Sequence, residues 1–480
     1  MTMMKYCALI PTYNNVATAA DVVRKTLEYL PVIVVVDGAT DGTLESLEQI
    51  KDERLTIVHY EKNRGKGYAL KTGFRKAREM GYTHVVTLDS DGQHYTEDLP
   101  KMIRASKIRP EALIVGTREL RQENMPGKNT FANKFSNFWY CIQTGTYLPD
   151  TQTGFRVYPL DRLHGERLMT NRYEAELLLL VFTTWANVSL VSVPIRVYYP
   201  PKEERVSYFR PARDFGRISV LNTILCVLAV IYGLPRRWFN TVFFSILFAF
   251  LCLYLNLALL ALTLFEGRKP SFPKKLRRVL GSATGWFMRV FAFSDYKVKL
   301  AKGATPIDFS KPAIYIANHS SVLDVLSLLS MHENLVLVGK RWVANNILFG
   351  TLARAMGIIR MEEGMDNFVP DVRRRVEEGY SVAIFPEGTR SLTGELGRFH
   401  KGAFFLAEEL NLPIRPLLMR GHIDALQKSP YIIGSPSEIT VTILPEILPD
   451  DTTYGVGYRE RTKNIRKYYY NLIETDDLAE

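Results

Sequence analysis

A chain of 480 residues is too long for one ordinary domain. Its 47% hydrophobic and 23% charged residues sit near the globular average, so membrane content must be local and a polytopic bundle is excluded. The net charge of +11 comes largely from Lys and Arg beside apolar segments, where they suit anionic lipid headgroups; no nucleic-acid recognition motif accompanies it. The four cysteines, Cys7, Cys141, Cys226 and Cys252, have the spacing of neither a disulfide framework nor a zinc site. The N-terminal MTMMKYCALIPTYNN enters a strand-like run without a signal-peptide pattern, which predicts a cytoplasmic start.

Residues 1–210 carry three short apolar runs that end in polar or acidic residues: CALIPTYNN, VIVVVDGATDGT and HVVTLDSDGQH. Continuous Val/Ile/Leu runs separated by helical patterns such as AADVVRKTLEYL predict buried parallel strands of an α/β sheet. Ligands bind such sheets at the carboxyl ends of the strands, which makes Asp37, Asp41, Asp89 and Asp91 candidates for one cleft. Asp89 and Asp91, one residue apart where a strand gives way to a loop, can jointly offer hard oxygen ligands to Mg²⁺ or Mn²⁺. Taken alone, an Asp-x-Asp reads more readily as a solvated polar turn than as a metal site.

The context is more specific. PTYNN (11–15), VDGATDGT (36–43), NRGKGYALKTGF (63–74), LDSDGQH (88–94), GTR (116–118) and DTQTGFR (150–156) follow one another as in family 2 glycosyltransferases. The set resembles the branch containing dolichyl- and polyprenyl-phosphate sugar synthases. That resemblance implies a GT-A, Rossmann-like domain using a UDP- or GDP-linked nucleotide sugar. Asp37 would contact the base, with Asp41 beside it; Asp89, Asp91 and Gln93 would hold the metal; Lys66 and Arg118 would lie near the diphosphate. The loop ending in Arg156 would border the acceptor, and Arg205 would belong to a basic segment closing over the donor, together with Arg210. One departure, Val36 before Asp37 where the family usually has a second acidic residue, bears on nucleotide choice. A lipid phosphate acceptor is already an anionic nucleophile, whereas a hydroxyl acceptor needs a base; Asp150 is the candidate, and it could equally be a turn carboxylate capping the loop.

Residues 241–265 contain no charge and, at about 1.5 Å rise per residue, are long enough to cross a hydrocarbon core of about 30 Å. Residues 218–234 are also uncharged but near the short limit. With Pro235, Arg236 and Arg237 between them, the pair predicts a transmembrane helical hairpin over 211–268. Ten cations flank it (Arg205, Arg210, Arg213, Arg217, Arg268, Lys269, Lys274, Lys275, Arg277 and Arg278) against two in the turn, which places both ends in the cytoplasm. The rival arrangement lays the first segment shallowly at the interface. Past it, 269–293 form a linker in which Leu276, Leu280, Phe287 and Phe291 share one helical stripe. This is either an interfacial helix or an amphipathic helix packed on the next domain.

Residues 294–480 open with PAIYIANHSSVLD. His319 and Asp324, five apart, can meet only if the histidine sits on the turn before a helix carrying the aspartate; a carboxylate so placed would hold the tautomer of a general base. Gly357-Ile358-Ile359-Arg360, FPEGTRS (385–391) and LPIRP (412–416) follow in order. Together these motifs resemble the glycerolipid acyltransferases, including 1-acylglycerol-3-phosphate acyltransferases. The resemblance implies a second α/β domain in which His319 activates a hydroxyl or amine for attack on acyl-CoA or acyl carrier protein, and Asp324 orients it. Arg360, Glu387, Gly388 and Arg390 would line the acceptor site.

The chain is thus expected to be a bifunctional enzyme of the inner, cytoplasmic membrane, with both domains facing the cytoplasm. It would glycosylate a lipid or lipid phosphate and acylate the same or a linked product, without nucleic-acid partners. The alternative is one catalytic domain with the other as a lipid- or nucleotide-binding module. A purely structural adaptor would leave both the carboxylate pair and the His-Asp pair unexplained.

Overall fold

The computed structural model describes residues 4–118, 127–166, 170–198, 211–267, 272–292, 296–360, 365–391, 393–426 and 438–475. The chain divides into two compact units, residues 1–239 and 240–480.

The first unit is built on seven strands: β1 (Tyr6–Thr12), β2 (Val32–Asp37), β3 (Leu55–Tyr60), β4 (His84–Thr87), β5 (Leu113–Arg118), β6 (Arg156–Pro159) and β7 (Leu190–Ile195). Their order across the sheet is β3-β2-β1-β4-β6-β5-β7. All are mutually parallel except β6, which runs antiparallel between β4 and β5. Helices cover both faces, so β1 sends Cys7 and Leu9 into one core and Ala8 and Ile10 into the other. Burial on both sides explains why the sequence reads as continuous apolar runs and lacks alternation. The carboxyl ends of β1, β2 and β4 converge on the segments that carry Asn15, Asp37 and Asp89.

The second unit has β8 (Tyr296–Leu300), β9 (Ile314–Ala317), β10 (Leu335–Gly339), β11 (Ile359–Arg360), β12 (Ser381–Ile384), β13 (Ile414–Arg420) and β14 (Ile439–Ile443), in the order β11-β10-β12-β9-β13-β14-β8. Only the β13–β14 pairing is antiparallel. Pro416 in β13 lies opposite Ile316 in β9 and brings no N–H to the ladder. Tyr469, fully buried on the helix Tyr458–Thr475, repairs the seam. Its hydroxyl lies 3.0 Å from the Ile316 carbonyl and 3.1 Å from the Leu417 carbonyl, and it accepts the Leu417 N–H at 3.1 Å.

The expected hairpin is not formed. Gly216–Glu266 run as one helix of 51 residues, and among the described residues it is the one helix long and apolar enough to cross a membrane. Within the continuous helical run Pro211–Leu228, a π-helical turn at Ala229–Gly233 and Leu234–Glu266, Pro235 lies two residues past the end of the π-turn. A π-turn already shifts the hydrogen-bond register, so the missing proline N–H breaks nothing. The would-be loop is instead tied into the first unit: Arg237 donates to the Thr184 carbonyl (2.9 Å) and the Thr146 hydroxyl (2.6 Å). Gly233 lies so close to the Trp185 indole that a Cβ would come within 2.2 Å of it. Leu225 and Ala229 belong to the same core as Tyr140 and Trp185. Residues 218–234 therefore pack one face, with Leu225 and Ala229, on the first unit and leave Val220, Ile224, Val227 and Val230 exposed.

From residue 240 the helix belongs to the second unit. Phe244, Leu251, Leu255 and Leu259 pack with Leu276, Leu280 and Phe287 of the helix Phe272–Ala292. Of the two expectations for that helix, inward packing is the one found; the side chain of Phe291 lies outside the described residues. Phe250, Leu253, Leu257, Leu260 and Leu264 leave the opposite face of the long helix apolar and exposed.

The β9–β13 seam yields a first prediction. Tyr469→Phe removes the hydroxyl that bonds the Ile316 and Leu417 carbonyls and should destabilise the second unit by about 1–3 kcal/mol. Urea unfolding in detergent, followed separately for the two units by hydrogen exchange, checks this; the first unit's protection should not change.

Candidate active sites

In the first unit, Asp37 ends β2 as a buried carboxylate. It accepts the backbone N–H groups of Arg64 and Gly65, each at 2.7 Å, and so fixes the loop before the helix Lys66–Glu79. Gly65 has φ +97°, and a Cβ there would meet the Asn171 carbonyl at 2.3 Å. Lys66, the first residue of that helix, is thereby held with its ammonium 2.6 Å from Asp89 Oδ1 and 2.9 Å from Glu176 Oε2. Burial alone would pull Lys66 down; the charges of Asp89 and then Glu176 overcome it and raise it above the usual lysine value. Asp89 is held far below the carboxylate range: burial opposes ionisation, and Lys66 and His94 outweigh it.

Asp91 behaves oppositely. Desolvation and then the like charge of Asp89 raise it, against the Gln93 N–H that donates to it at 3.0 Å. Two carboxylates under mutual repulsion, one residue apart at a strand end, form an under-compensated oxygen donor set. That set fits a hard divalent cation, which commonly takes one or two carboxylates and completes its shell with water and phosphate. Among the described residues no group of three or more His, Cys, Asp or Glu side chains could hold a metal, so such a shell would need other oxygens. Asn15 Nδ2 donates to the Ser90 hydroxyl (2.9 Å) and Thr18 Oγ1 to the Ser90 carbonyl (2.7 Å), fixing the turn between the two aspartates. Gly154 presses against Asp89 from the other side, where a Cβ would lie 2.5 Å from a carboxylate oxygen.

Several expected contacts are placed differently. Asp150 is fully buried and forks with Arg118 at 2.6 and 2.9 Å, while Asn133 donates to it at 3.1 Å. Burial opposes its ionisation, but Arg118 wins and holds it below the usual carboxylate range. So committed, it is a loop anchor and not a free base, which corrects the first of its two readings. Arg118 spends its fork on Asp150. Arg156 is wholly buried, donating to the Tyr158 hydroxyl and the Glu176 and Thr151 carbonyls (3.2, 3.0 and 2.8 Å), so it builds the acceptor loop from beneath and does not border it. Asp41 accepts the Val16 N–H at 3.0 Å and the Thr43 N–H at 3.0 Å, joining two loops. Arg205 and Arg210 lie outside the described residues. Glu176 was not anticipated; an acidic residue opening the apolar helix Ala175–Trp185 was the available signal.

In the second unit, β9 ends at Ala317, yet its pairing continues through a side chain. Asn318 Oδ1 accepts the Met419 N–H (2.8 Å) and its Nδ2 donates to the Met419 carbonyl (3.0 Å), mimicking a strand residue. The backbone is thus free to turn at His319, whose N–H donates to Glu387 Oε1 at 2.8 Å. His319 Nδ1 lies 2.9 Å from Asp324 Oδ2, near the start of the helix Leu323–Met331. The same oxygen accepts the N–H groups of Ser320 and Ser321 at 2.7 and 2.8 Å. Burial would raise Asp324, but the His319 hydrogen bond, then His422, hold it below the usual value. The imidazole stacks on Phe385 with centroids 4.0 Å apart. With Nδ1 engaged by a carboxylate, Nε2 is the nitrogen left to accept a proton.

Glu387, expected to line the acceptor site, is buried and divides its two oxygens between His319 N–H and Gly397 N–H (2.8 Å each). It is a clamp on the histidine loop; burial raises its carboxyl against these two donors. Gly388 follows at φ +66°, the left-handed region that glycine enters without strain. Arg390 is part-buried just beyond, and Arg360 is exposed at the end of β11.

Residues 7–157 match the family model described as Glycosyl transferase family 2, and residues 298–420 match the one described as Acyltransferase. A UDP-N-acetylglucosamine–dolichyl-phosphate N-acetylglucosaminyltransferase of Methanococcus voltae is 28% identical over 212 residues, covering 40% of this chain and 84% of that protein. A 1-acyl-sn-glycerol-3-phosphate acyltransferase of Limnanthes douglasii is 36% identical over 149 residues, 30% of this chain and 53% of that one; the chain thus spans about half the length of this curated relative. The solved 1-acyl-sn-glycerophosphate acyltransferase PlsC of Thermotoga maritima aligns over 50% of this chain and 95% of its own, at 18% identity and a TM-score of 0.41. The chain is therefore a transferase that carries a family 2 glycosyl transferase domain followed by an acyltransferase domain.

Proposed function

We propose that this is a bifunctional enzyme of lipid biosynthesis. Its first domain transfers a sugar from a UDP- or GDP-linked donor to a lipid or lipid phosphate, and its second transfers an acyl chain from acyl-CoA or acyl carrier protein to a hydroxyl or amine of a lipid. The observation that carries this reading is that each sheet bears its own set of reactive groups at its strand ends: Lys66, Asp89 and Asp91 in one, His319 and Asp324 in the other.

In the first domain a nucleophilic acceptor oxygen attacks the anomeric carbon, and the nucleoside diphosphate departs with the bonding pair. Asp89, Asp91 and Gln93 would hold a Mg²⁺ or Mn²⁺ ion, which when bound supplies positive charge beside the diphosphate. Lys66 adds a fixed ammonium at the same place, while Asp37 and Gly65 hold the loop that positions it. Because Asp150 is spent on Arg118, a lipid phosphate, which needs no base, suits the site better than a hydroxyl.

In the second domain His319 Nε2 accepts the acceptor's proton as its oxygen or nitrogen attacks the thioester carbonyl. The tetrahedral intermediate collapses, expelling the thiolate, which recovers the proton from the imidazolium as free thiol. Asp324 stabilises the charged ring in between. The exposed apolar face of residues 240–266 supports contact with lipid, and the water-soluble donors of this reading favour reactions on the cytoplasmic side of an inner membrane.

Two predictions separate the domains. Asp91→Asn should lower sugar transfer, and His319→Ala acyl transfer, each by about 10²–10⁴-fold while leaving the other activity intact. Mass spectrometry of lipid extracts from nanodiscs supplied with nucleotide sugars, Mg²⁺ or Mn²⁺ and acyl thioesters reads both. If one substitution leaves every activity intact, that domain is a binding module.

A further prediction concerns pH. Asp324 stays ionised in the folded protein at pH values where the unfolded chain takes up a proton. The stability it confers relative to Asp324→Asn is therefore complete above about pH 4 and shrinks as pH falls below that value. Urea unfolding of both proteins from neutral to acid pH should show this; a difference that already shrinks between about pH 7 and 5 would contradict the assignment.

A further inference from the structure

His422 is the second histidine of the acyltransferase site. It follows β13 at the start of the short helix His422–Ala425, is fully buried, and is reached by no sequence motif. Its ring spans one face of the helix Leu323–Met331: Nε2 lies 2.8 Å from the Ser327 hydroxyl, and Nδ1 lies 3.8 Å from Asp324 Oδ1, one turn earlier on that helix. Nδ1 is also 3.0 Å from the Arg420 carbonyl. A carbonyl can only accept, so Nδ1 carries a hydrogen. Complete burial disfavours the charged ring, which leaves Nε2 to accept from Ser327.

Asp324 is where this matters. Its Oδ2 takes three donors, from His319, Ser320 and Ser321, whereas the equally buried Oδ1 has no hydrogen-bond partner among the described residues. A buried carboxylate oxygen without a donor is costly, and the polar Nδ1–H group of His422, hydrogen-bonded to the Arg420 carbonyl, lies 3.8 Å from it. Resting on the acyl-transfer reading above, we propose that His422 is a positioning residue for that reaction: it holds Asp324 anionic and in place, through its unpartnered oxygen, while His319 carries the proton. Asp324 and His319 are the titratable groups that bear on the ring. Burial keeps the ring itself from charging, so it supplies a dipole and does not compete with His319 for a proton.

The test uses the full chain in nanodiscs and compares His422→Leu with His422→Asn, whose amide can return a donor near the Nδ1 position. His422→Leu should lower kcat of acyl transfer about 10–100-fold with KM nearly unchanged, because Asp324 is less well placed, and should move the acid limb of the kcat/KM profile to higher pH, because a carboxylate that loses a neighbouring dipole attracts the imidazolium more strongly. His422→Asn should restore most of kcat and the original limb. Should His422→Leu fail to fold, Ser327→Ala, which frees Nε2, should give a smaller change in the same direction. Equal losses in the Leu and Asn variants, or an unmoved pH limb in the Leu or Ala variants, overturn the proposal. His319→Ala distinguishes the two levels: if it retains acyl transfer, the reading of the domain fails and this inference with it; if it abolishes transfer while His422→Leu matches the native enzyme, this inference alone fails.

Discussion

In both units a buried carboxylate accepts two backbone N–H groups from elsewhere in the chain: Asp37 from the adjacent Arg64 and Gly65, Glu387 from the two separate segments carrying His319 and Gly397. A strand that ends in a cleft leaves the next loop without ladder partners, and buried N–H groups must still be satisfied. An ionised acceptor does so with bonds stronger than neutral ones and in a fixed direction. The reactive groups depend on that fixation. Lys66 follows the two residues that Asp37 clamps, and His319 is itself the residue held by Glu387. Glycines at 65 and 388, both at positive φ, complete the turns where a side chain would collide or strain.

The two sites then use electrostatics in opposite ways. Around Asp89 charge is crowded: an ammonium lies between two carboxylates while Asp91 faces its neighbour's negative charge. Asp91 is thereby left under-compensated. Around His319 charge is sparse. The Asp324 carboxylate meets the His319 ring, which stacks on Phe385, an arrangement suited to a ring that alternates between neutral and charged forms.

The long helix joins the two units through different physics at its two ends. Its first part is held by polar anchors, Arg237 on Thr184 and Thr146, and Asn222 meeting Gln143 at 3.0 Å. Its second part is held by apolar packing along one stripe, with an equally apolar stripe left outward. Water does not favour that outward face; a hydrocarbon environment does.

Much of this was legible in the sequence. Runs such as VIVVVD and AIYIA announced strands buried on both faces, and the order of polar turns after them located Asp37, Asp89, Asp91, His319 and Asp324, because chemistry at strand ends is local in sequence. Even the separation of His319 and Asp324 determined that a turn must precede the helix. What the sequence could not decide was which polar residue faces which. Asp150 and Arg156 carry the same side chains whether they line a cleft or support it from below, and only the packing of residues 118, 133 and 176 around them consigned both to support. Pro235-Arg236-Arg237 reads as a turn until Trp185, Thr184 and Thr146 are brought against it from elsewhere in the chain. Glu176 and His422 belong to sites whose other members lie about 90 or more positions away. Local patterns determine strands, turns and the residues at their ends; contacts between distant segments, which set burial and hydrogen-bond partners, are decided only when the tertiary structure brings those segments together.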